Sequence, residues 1–319
     1  MTAMRGKARR AADRASNAKE RRTVRDYMRY AVAAFRRAKL AFGHGTGNAV
    51  DEAAFLILES LGLPIDRLDP VLDRSLTVPQ RRKLERIIAA RVASRKPAAY
   101  LLRRAYIQGI PFYVDERAIV PRSLIGELLH SPVLVGDAMS LIAQRDGVRS
   151  VLDMCTGSGC LAVLAARSFP MAKIDAVDLS TKALAVARRN VAACPDRRRM
   201  RLLAGDLFAP VKTARYDLIV CNPPYVDAKA MARLPAEYRH EPAMALSGGT
   251  DGLDIVHRIL AQASDHLLPG GGLLCEIGRG RARLEKAYPH HDFQWLDTKH
   301  SVGEVFWIGA GALKHAAAR

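Results

Sequence analysis

The chain has 319 residues, 49% hydrophobic and 26% charged, a balance that excludes a disordered or fibrous protein and suffices for one large domain with a smaller companion. Fifty Lys and Arg against 32 Asp and Glu leave a formal charge of +18, which points to polyanionic surroundings such as RNA or the ribosome. No apolar run approaches the roughly 18 residues of a membrane span, and none follows the basic N-terminus as a secretory signal would, so a cytoplasmic location is expected and no membrane contact. Cys155, Cys160, Cys194, Cys221 and Cys275 form no C-x-x-C pair and no ligand spacing with histidine, so reduced thiols are expected and no metal.

Residues 1–22 carry eight basic side chains against Asp13 and Glu20 and read as a solvated, disordered tail. From Thr23, Val24, Met28, Val32, Phe35 and Phe42 recur at helical spacing, which predicts a helix to about Phe42, ended by Gly43-His44-Gly45-Thr46-Gly47. A second helix is expected from Asp51 to Leu61, and a third from about Pro79 to Arg95 behind a Thr77/Gln80 capping pair, giving a small helical domain over 23–105. Alternation from Tyr106 to Val120 predicts a β-hairpin linker over 106–121, followed by helices at Leu124 to about Leu134 and about Asp137 to Gln144. Beyond Arg149 the rhythm becomes strand, helix, strand, the signature of a mostly parallel sheet covered on both faces, within a domain over 122–319. Strands are expected at Ser150–Met154, Ile174–Val177, Leu202–Leu203, Leu218–Cys221 and Gly272–Ile277, with Phe293–Leu296 and Val305–Ile308 pairing antiparallel at one edge.

Two stretches carry chemistry. Leu218-Ile219-Val220 is the apolar run of a strand buried on both faces, and it leads into Asn222-Pro223-Pro224-Tyr225 at the carboxyl end, where open α/β sheets bind ligands. Asn222 offers an amide oxygen, and the prolines leave backbone carbonyls without N–H groups, so the turn accepts hydrogen bonds and suits an NH2 group, with Tyr225 as a flat face beside it. Pro-Pro after a strand also occurs as an ordinary loop. The second stretch, Asp153 to Cys160, is a glycine turn between strand and helix, with Asp178 closing the next strand and Asp206 following the third. Carboxylates at those strand ends suit ribose hydroxyls and an adenine. With neither a third glycine nor a P-loop lysine, nothing is dedicated to phosphate, so S-adenosylmethionine is the expected cofactor: its ammonium suits Asp153, and its methyl is the electrophile the Asn222 site lacks.

The Asp153 to Cys160 loop with Asn222-Pro223-Pro224-Tyr225 resembles the HemK-type N5-glutamine methyltransferases, a class I S-adenosylmethionine-dependent, Rossmann-like family with a seven-stranded sheet and a small N-terminal helical domain. Three further stretches are similar to its PrmB branch: Gly43 to Thr46 with Asp51-Glu52-Ala53, Tyr113 to Ser123, and Leu234 to Pro242 with Asp251-Gly252-Leu253. The resemblance implies N5-methylation of a glutamine in large-subunit ribosomal protein three. It also implies a cofactor site built from Asp153, Cys155, Thr156, Gly157, Ser158, Gly159, Asp178, Leu179, Asp206, Leu207 and Asn222, and catalysis by Asn222, Pro223, Pro224 and Tyr225. His240 and Glu241 suit either acid–base work or a structural pair. An adenine-N6 methyltransferase of DNA or RNA is the rival enzyme, since the same turn would hold an exocyclic amine. A ribosome-assembly factor with a vestigial cofactor site is the rival outside catalysis. Contact with ribosomal RNA through the basic surface is a further expectation.

Overall fold

The structure, a computed structural model, describes residues 21–136, 140–299 and 301–317. All but the last two residues of the expected basic tail lie outside them. The chain divides into two compact units after Leu102.

The first unit packs α1 (Val24–Arg37), α2 (Ala49–Leu61), α3 (Val78–Ser94) and α4 (Ala98–Leu102) around Tyr27, Phe35, Leu56, Ile57, Leu84 and Ile88. Local chemistry starts each long helix: a Thr23/Asp26 capping box, Asn48 accepting from Val50 and Asp51, and the expected Thr77/Gln80 box. Helix α1 ends before the predicted Phe42. Lys39 enters the left-handed region at φ 48°, and bonds from Lys39 N–H to the Arg36 carbonyl and Leu40 N–H to the Phe35 carbonyl close a Schellman turn that buries Leu40. The glycine-rich loop that follows is tied from within. Thr46 Oγ1 donates to Glu52 Oε2, Arg91 Nε donates to Glu52 Oε1, and Arg91 Nη2 reaches the Ala41 carbonyl at 3.2 Å. Glu52 and Arg91 are both buried.

In the second unit β1 (Ala105–Ile107) and β2 (Ile110–Phe112) form the expected hairpin, but the pairing stops at Phe112 rather than running to Val120. The helix expected from Leu124 shrinks to α5 (Ile125–Leu128); Pro132 disfavours helical backbone at Ser131, and turns replace the rest. Of the helix expected from Asp137, residues 137–139 lie outside the described residues, and 140–144 are not helical: Ile142 instead bridges Val135 as a strand would.

The main sheet is built from β3 (Ser150–Met154), α6 (Cys160–Ser168), β4 (Lys173–Asp178), α7 (Thr181–Ala193), β5 (Met200–Ala204), β6 (Tyr216–Cys221), α8 (Ala228–Met231), α9 (Asp254–Ala263), β7 (Leu267–Glu276), α10 (Arg281–Ala287), β8 (Gln294–Leu296), β9 (Val305–Gly309) and α11 (Ala310–Ala317). Strand order is β5-β4-β3-β6-β7-β9-β8, with β3 to β7 parallel and β9 and β8 antiparallel at the edge. This is the fold class expected, a mostly parallel seven-stranded sheet. Along β6, Leu218 and Val220 enter one apolar core while Ile219 and Cys221 enter the other, so the strand is covered on both faces as its unbroken apolar run requires. The chain moves to opposite sides of β3 for β4 and β6, and that switch opens a crevice at their carboxyl ends.

Removing Glu52 strands the Arg91 cation in the core of the helical unit. Glu52→Ala should destabilise that unit by about 3–5 kcal/mol, read as a lowered midpoint in denaturant unfolding followed by circular dichroism. An unchanged midpoint would show that the pair contributes nothing.

Candidate active site

Beyond Met154 the backbone takes positive φ at Cys155, Gly157 and Gly159 before entering α6, a tight turn at the mouth of the crevice. Thr156 N–H donates to the Val177 carbonyl at 3.0 Å and Gly157 N–H to Asp178 Oδ2 at 2.8 Å, which ties the turn to the end of β4. Asp178 Oδ1 accepts from Ser180 N–H at 2.7 Å. Burial raises the Asp178 pKa above its ordinary value, opposed by these two bonds. Asn190 of α7 supports the turn from behind, donating to the Ser158 carbonyl at 2.8 Å.

The second wall comes from β6. Asn222, Pro223, Pro224 and Tyr225 follow its last residue and line the crevice. Residues 246–252 hold them: Val226 N–H donates to the Leu246 carbonyl and Gly248 N–H to the Val226 carbonyl. A Cβ at Gly248 would stand 2.7 Å from the Pro224 carbonyl oxygen, and one at Gly252 2.5 Å from that of Tyr225, so only glycine allows this approach. Tyr225 Oη donates to Glu276 Oε1 at 3.1 Å. Burial, then the Glu276 carboxylate, pushes the phenol well above its ordinary range, so Tyr225 is neutral at physiological pH.

Two buried carboxylates shape the segment that crosses the crevice. Glu276 Oε2 accepts from Ser123 Oγ at 2.7 Å and Leu124 N–H at 2.9 Å. Glu241 accepts from Val120 N–H at 2.9 Å and from both Arg122 terminal nitrogens, at 2.6 and 2.8 Å. Burial works against the Arg122 cation, but its paired bonds to Glu241 outweigh that and hold it charged. Glu241 is thereby a structural partner, and neither it nor His240 reaches the crevice wall.

The enclosed cavity measures about 420 Å³, within the ordinary size of small-molecule sites. Cys155, Thr156, Gly157, Ser158, Asp178, Leu179, Asp206, Leu207 and the four residues Asn222 to Tyr225 all line it. Two expected residues do not. Gly159 lies behind the turn, packed against Ala187, and Asp153 is fully buried beneath it, where its carboxylate accepts from Thr156 Oγ1. Strand alternation turns Asp153 into the sheet's core side, so it holds the turn from below instead of facing a ligand. Asp206 is paired with Arg258 Nη2 at 2.6 Å, a partner from α9 that sequence reading missed. Arg122 and Tyr238 on the wall were missed as site residues, as was Gly248 behind it; the glycine density of 248–252 was the available signal for the last.

A model of the methyltransferase small domain family matches residues 138–237. Curated relatives extend over nearly the whole chain. The ribosomal protein uL3 glutamine methyltransferase of Bradyrhizobium diazoefficiens is 55% identical over 91% of this chain and 92% of its own. Those of Burkholderia pseudomallei and Bordetella pertussis are 50% and 49% identical, each over 92% of this chain and over 96% and 97% of their own lengths. The chain belongs to the ribosomal protein uL3 glutamine methyltransferase family.

Membership makes the chain a class I methyltransferase with S-adenosylmethionine as methyl donor, and the adenine-N6 alternative is not favoured. The cavity fits that cofactor by its own chemistry. Its volume suits a nucleoside with a short side chain, carboxylates stand at the ends of β4 and β5, and Cys155 to Ser158 of the glycine turn line it.

Asp153 provides a test of how the turn is built. Burial, opposed by the Thr156 bond, raises its pKa from 3.8 to about 7, so the folded protein without cofactor keeps a proton that the unfolded chain releases. Stability from this group is complete below pH 4 and is lost as pH rises towards 7, a total of roughly 4 kcal/mol. Asp153→Asn removes that slope. The stability difference, variant minus native, should therefore climb across this window in urea unfolding and level off above it; a constant difference would show that no proton is held there.

Proposed function

We propose that the chain transfers the methyl group of S-adenosylmethionine to the side-chain amide nitrogen of a glutamine in ribosomal protein uL3, forming N5-methylglutamine. The observation that carries this reading is that the Asn222-Pro223-Pro224-Tyr225 turn lines the same cavity as Asp178, Asp206 and the glycine turn. The substrate itself follows from the relatives, which are named for uL3.

Asp178 would accept from the ribose hydroxyls, Asp206 and Leu207 would frame the adenine, and the Cys155 to Ser158 turn would take the amino-acid end. When bound, the cofactor supplies a methyl on a sulfonium, a strong electrophile. A carboxamide nitrogen is a weak nucleophile because its lone pair is delocalised. Asn222 Oδ1 and the Pro223 carbonyl would accept its two N–H groups and fix its plane, with Tyr225 packed on that plane, so the lone pair faces the methyl in line. The C–N bond would form as the S–C bond breaks, and the amide nitrogen would pass its proton to water, with no dedicated base required of this chain. Orientation and exclusion of water supply most of the acceleration. Tyr225, neutral and anchored to Glu276, contributes shape rather than charge.

The helical unit, a compact unit of its own, would recognise the protein substrate. Among the described residues no helix is long and apolar enough to cross a membrane, and a ribosomal-protein substrate would be met in the cytoplasm.

Two substitutions separate the halves of this site. Asp178→Ala removes the ribose acceptor and loosens the Gly157 and Ser180 bonds, so calorimetry should show S-adenosylmethionine binding weakened by roughly 1.5–3 kcal/mol. Asn222→Ala should leave that affinity nearly intact while slowing single-turnover methylation of uL3, followed by mass spectrometry, on the order of a hundredfold. Near-normal turnover in folded Asn222→Ala would remove Asn222 from the mechanism.

A further inference from the structure

The strand ends opposite the crevice carry a concentration of charge that methyl transfer does not use. Arg167 closes α6, Lys173 opens β4, Arg188 and Arg189 lie on the last turns of α7, and Arg197, Arg198, Arg199 and Arg201 lead into and begin β5. These eight cations share the neighbourhood with two carboxylates, Asp175 and Asp196, and both are already committed. Asp175 is buried and accepts Arg201 through both oxygens at 2.7 Å, and Tyr216 Oη at 2.8 Å. Asp196 accepts from Arg199 at 2.8 Å.

Arg199 explains why the rest stand free. Its guanidinium donates to the carbonyls of Phe169 at 3.1 Å, Ala172 at 2.6 Å and Ala166, which staples the 197–199 turn onto the turn between α6 and β4. That staple brings Arg197 and Arg198 beside Arg167 and Lys173, with all four exposed, as Arg188 is. Among the described residues none of these five has a carboxylate within ion-pair distance. Arg189 is held flat over the Tyr113 ring at 3.8 Å. Holding like charges together this way is unfavourable in the free protein and becomes favourable against a polyanion.

We propose that this surface, at the β5 edge and the amino ends of β4 and β5, docks the phosphate backbone of RNA. Seven of the eight cations are arginines, whose planar fork pairs with phosphate through two parallel bonds. Half-exposed Met171 is the one large apolar side chain among them, too little area for insertion into a lipid surface. Arg167, Lys173, Arg197 and Arg198 lie at the far end of β4 from the methyl-transfer site, about 20 Å along its six residues, so RNA bound there leaves the crevice open to a protein side chain. The choice of RNA rests on the uL3 reading, since a ribosomal protein is presented alongside ribosomal RNA. Docking there raises the local concentration of substrate without touching the chemistry.

The test uses the full chain and a triple variant, Arg167→Glu with Arg197→Glu and Arg198→Glu, with the milder Arg→Gln triple as a second variant should the first fail to fold. Thermal unfolding and S-adenosylmethionine binding check both. Fluorescence anisotropy measures binding to a labelled single-stranded ribosomal RNA fragment, to duplex DNA of equal charge and to anionic phosphatidylglycerol vesicles, across a salt series. The expected result is RNA binding weakened about tenfold or more at low salt, with the slope of log Kd against log salt reduced by about two for three lost contacts. Methylation of free uL3 stays unchanged, while methylation of uL3 in RNA-containing assembly intermediates slows at low salt. Unaltered RNA affinity and slope in a folded variant would overturn the proposal, as would tighter native binding to duplex DNA than to RNA, or loss confined to vesicles. If the variant loses RNA binding but the native chain leaves uL3 unmethylated, the docking surface stands and the substrate reading falls.

Discussion

The parallel pairing of β3 with β6 is the constraint on which the site depends. Their register sets Met154 beside Cys221, so the glycine turn after one strand and the Asn222 turn after the other begin at the same height. A one-residue slip would reverse every side chain along β6 and drive Leu218 and Val220 out of one core and into the other. The two apolar layers therefore hold the donor and acceptor halves of the site within reach of each other. Neither turn carries much structure of its own, and their placement is inherited from the most buried strands of the protein.

Around that frame, buried carboxylates do the fine positioning. Asp153 holds the glycine turn from below, Glu276 joins Tyr225 to the Ser123 segment, Glu241 closes on Arg122 and Val120, and Glu52 with Arg91 supports the glycine loop of the helical unit. Glu276, Glu241 and Glu52 each take hydrogen bonds from two or more groups, and Asp153 accepts from Thr156. Desolvation makes such groups costly unless their lone pairs are filled, which gives loops a single conformation where packing alone would leave several. The burial that raises the pKa values of Asp153, Asp178 and Glu276 is the same burial that gives their hydrogen bonds this ordering effect.

Charge is distributed with the same economy. Carboxylates of Asp178 and Asp206 line the crevice, whereas the amino ends of β4 and β5 carry arginines. The positive balance of the whole chain is shared among the helical unit, the N-terminal residues and the amino ends of β4 and β5.

What the sequence determined by itself was local or periodic: helix starts at capping boxes, the strand rhythm, the doubly covered β6, the antiparallel edge, and the two turns that face the cavity. Those features depend on side chains a few residues apart, whose chemistry fixes backbone direction without help. Only the tertiary structure decided the rest. Asp153 went beneath the turn because β3 presents that side to the core, and Asp206 met Arg258 because α9 folds beside β5's exit. Glu241 became the partner of Arg122, 119 positions away, rather than an acid or base. The helix expected after Leu124 keeps only a short turn, with Pro132 against its continuation, while Leu124 N–H is held by Glu276, 152 positions on. Contacts of such long separation leave no spacing to read, because a carboxylate signals only that it needs a partner, and the fold chooses which one arrives.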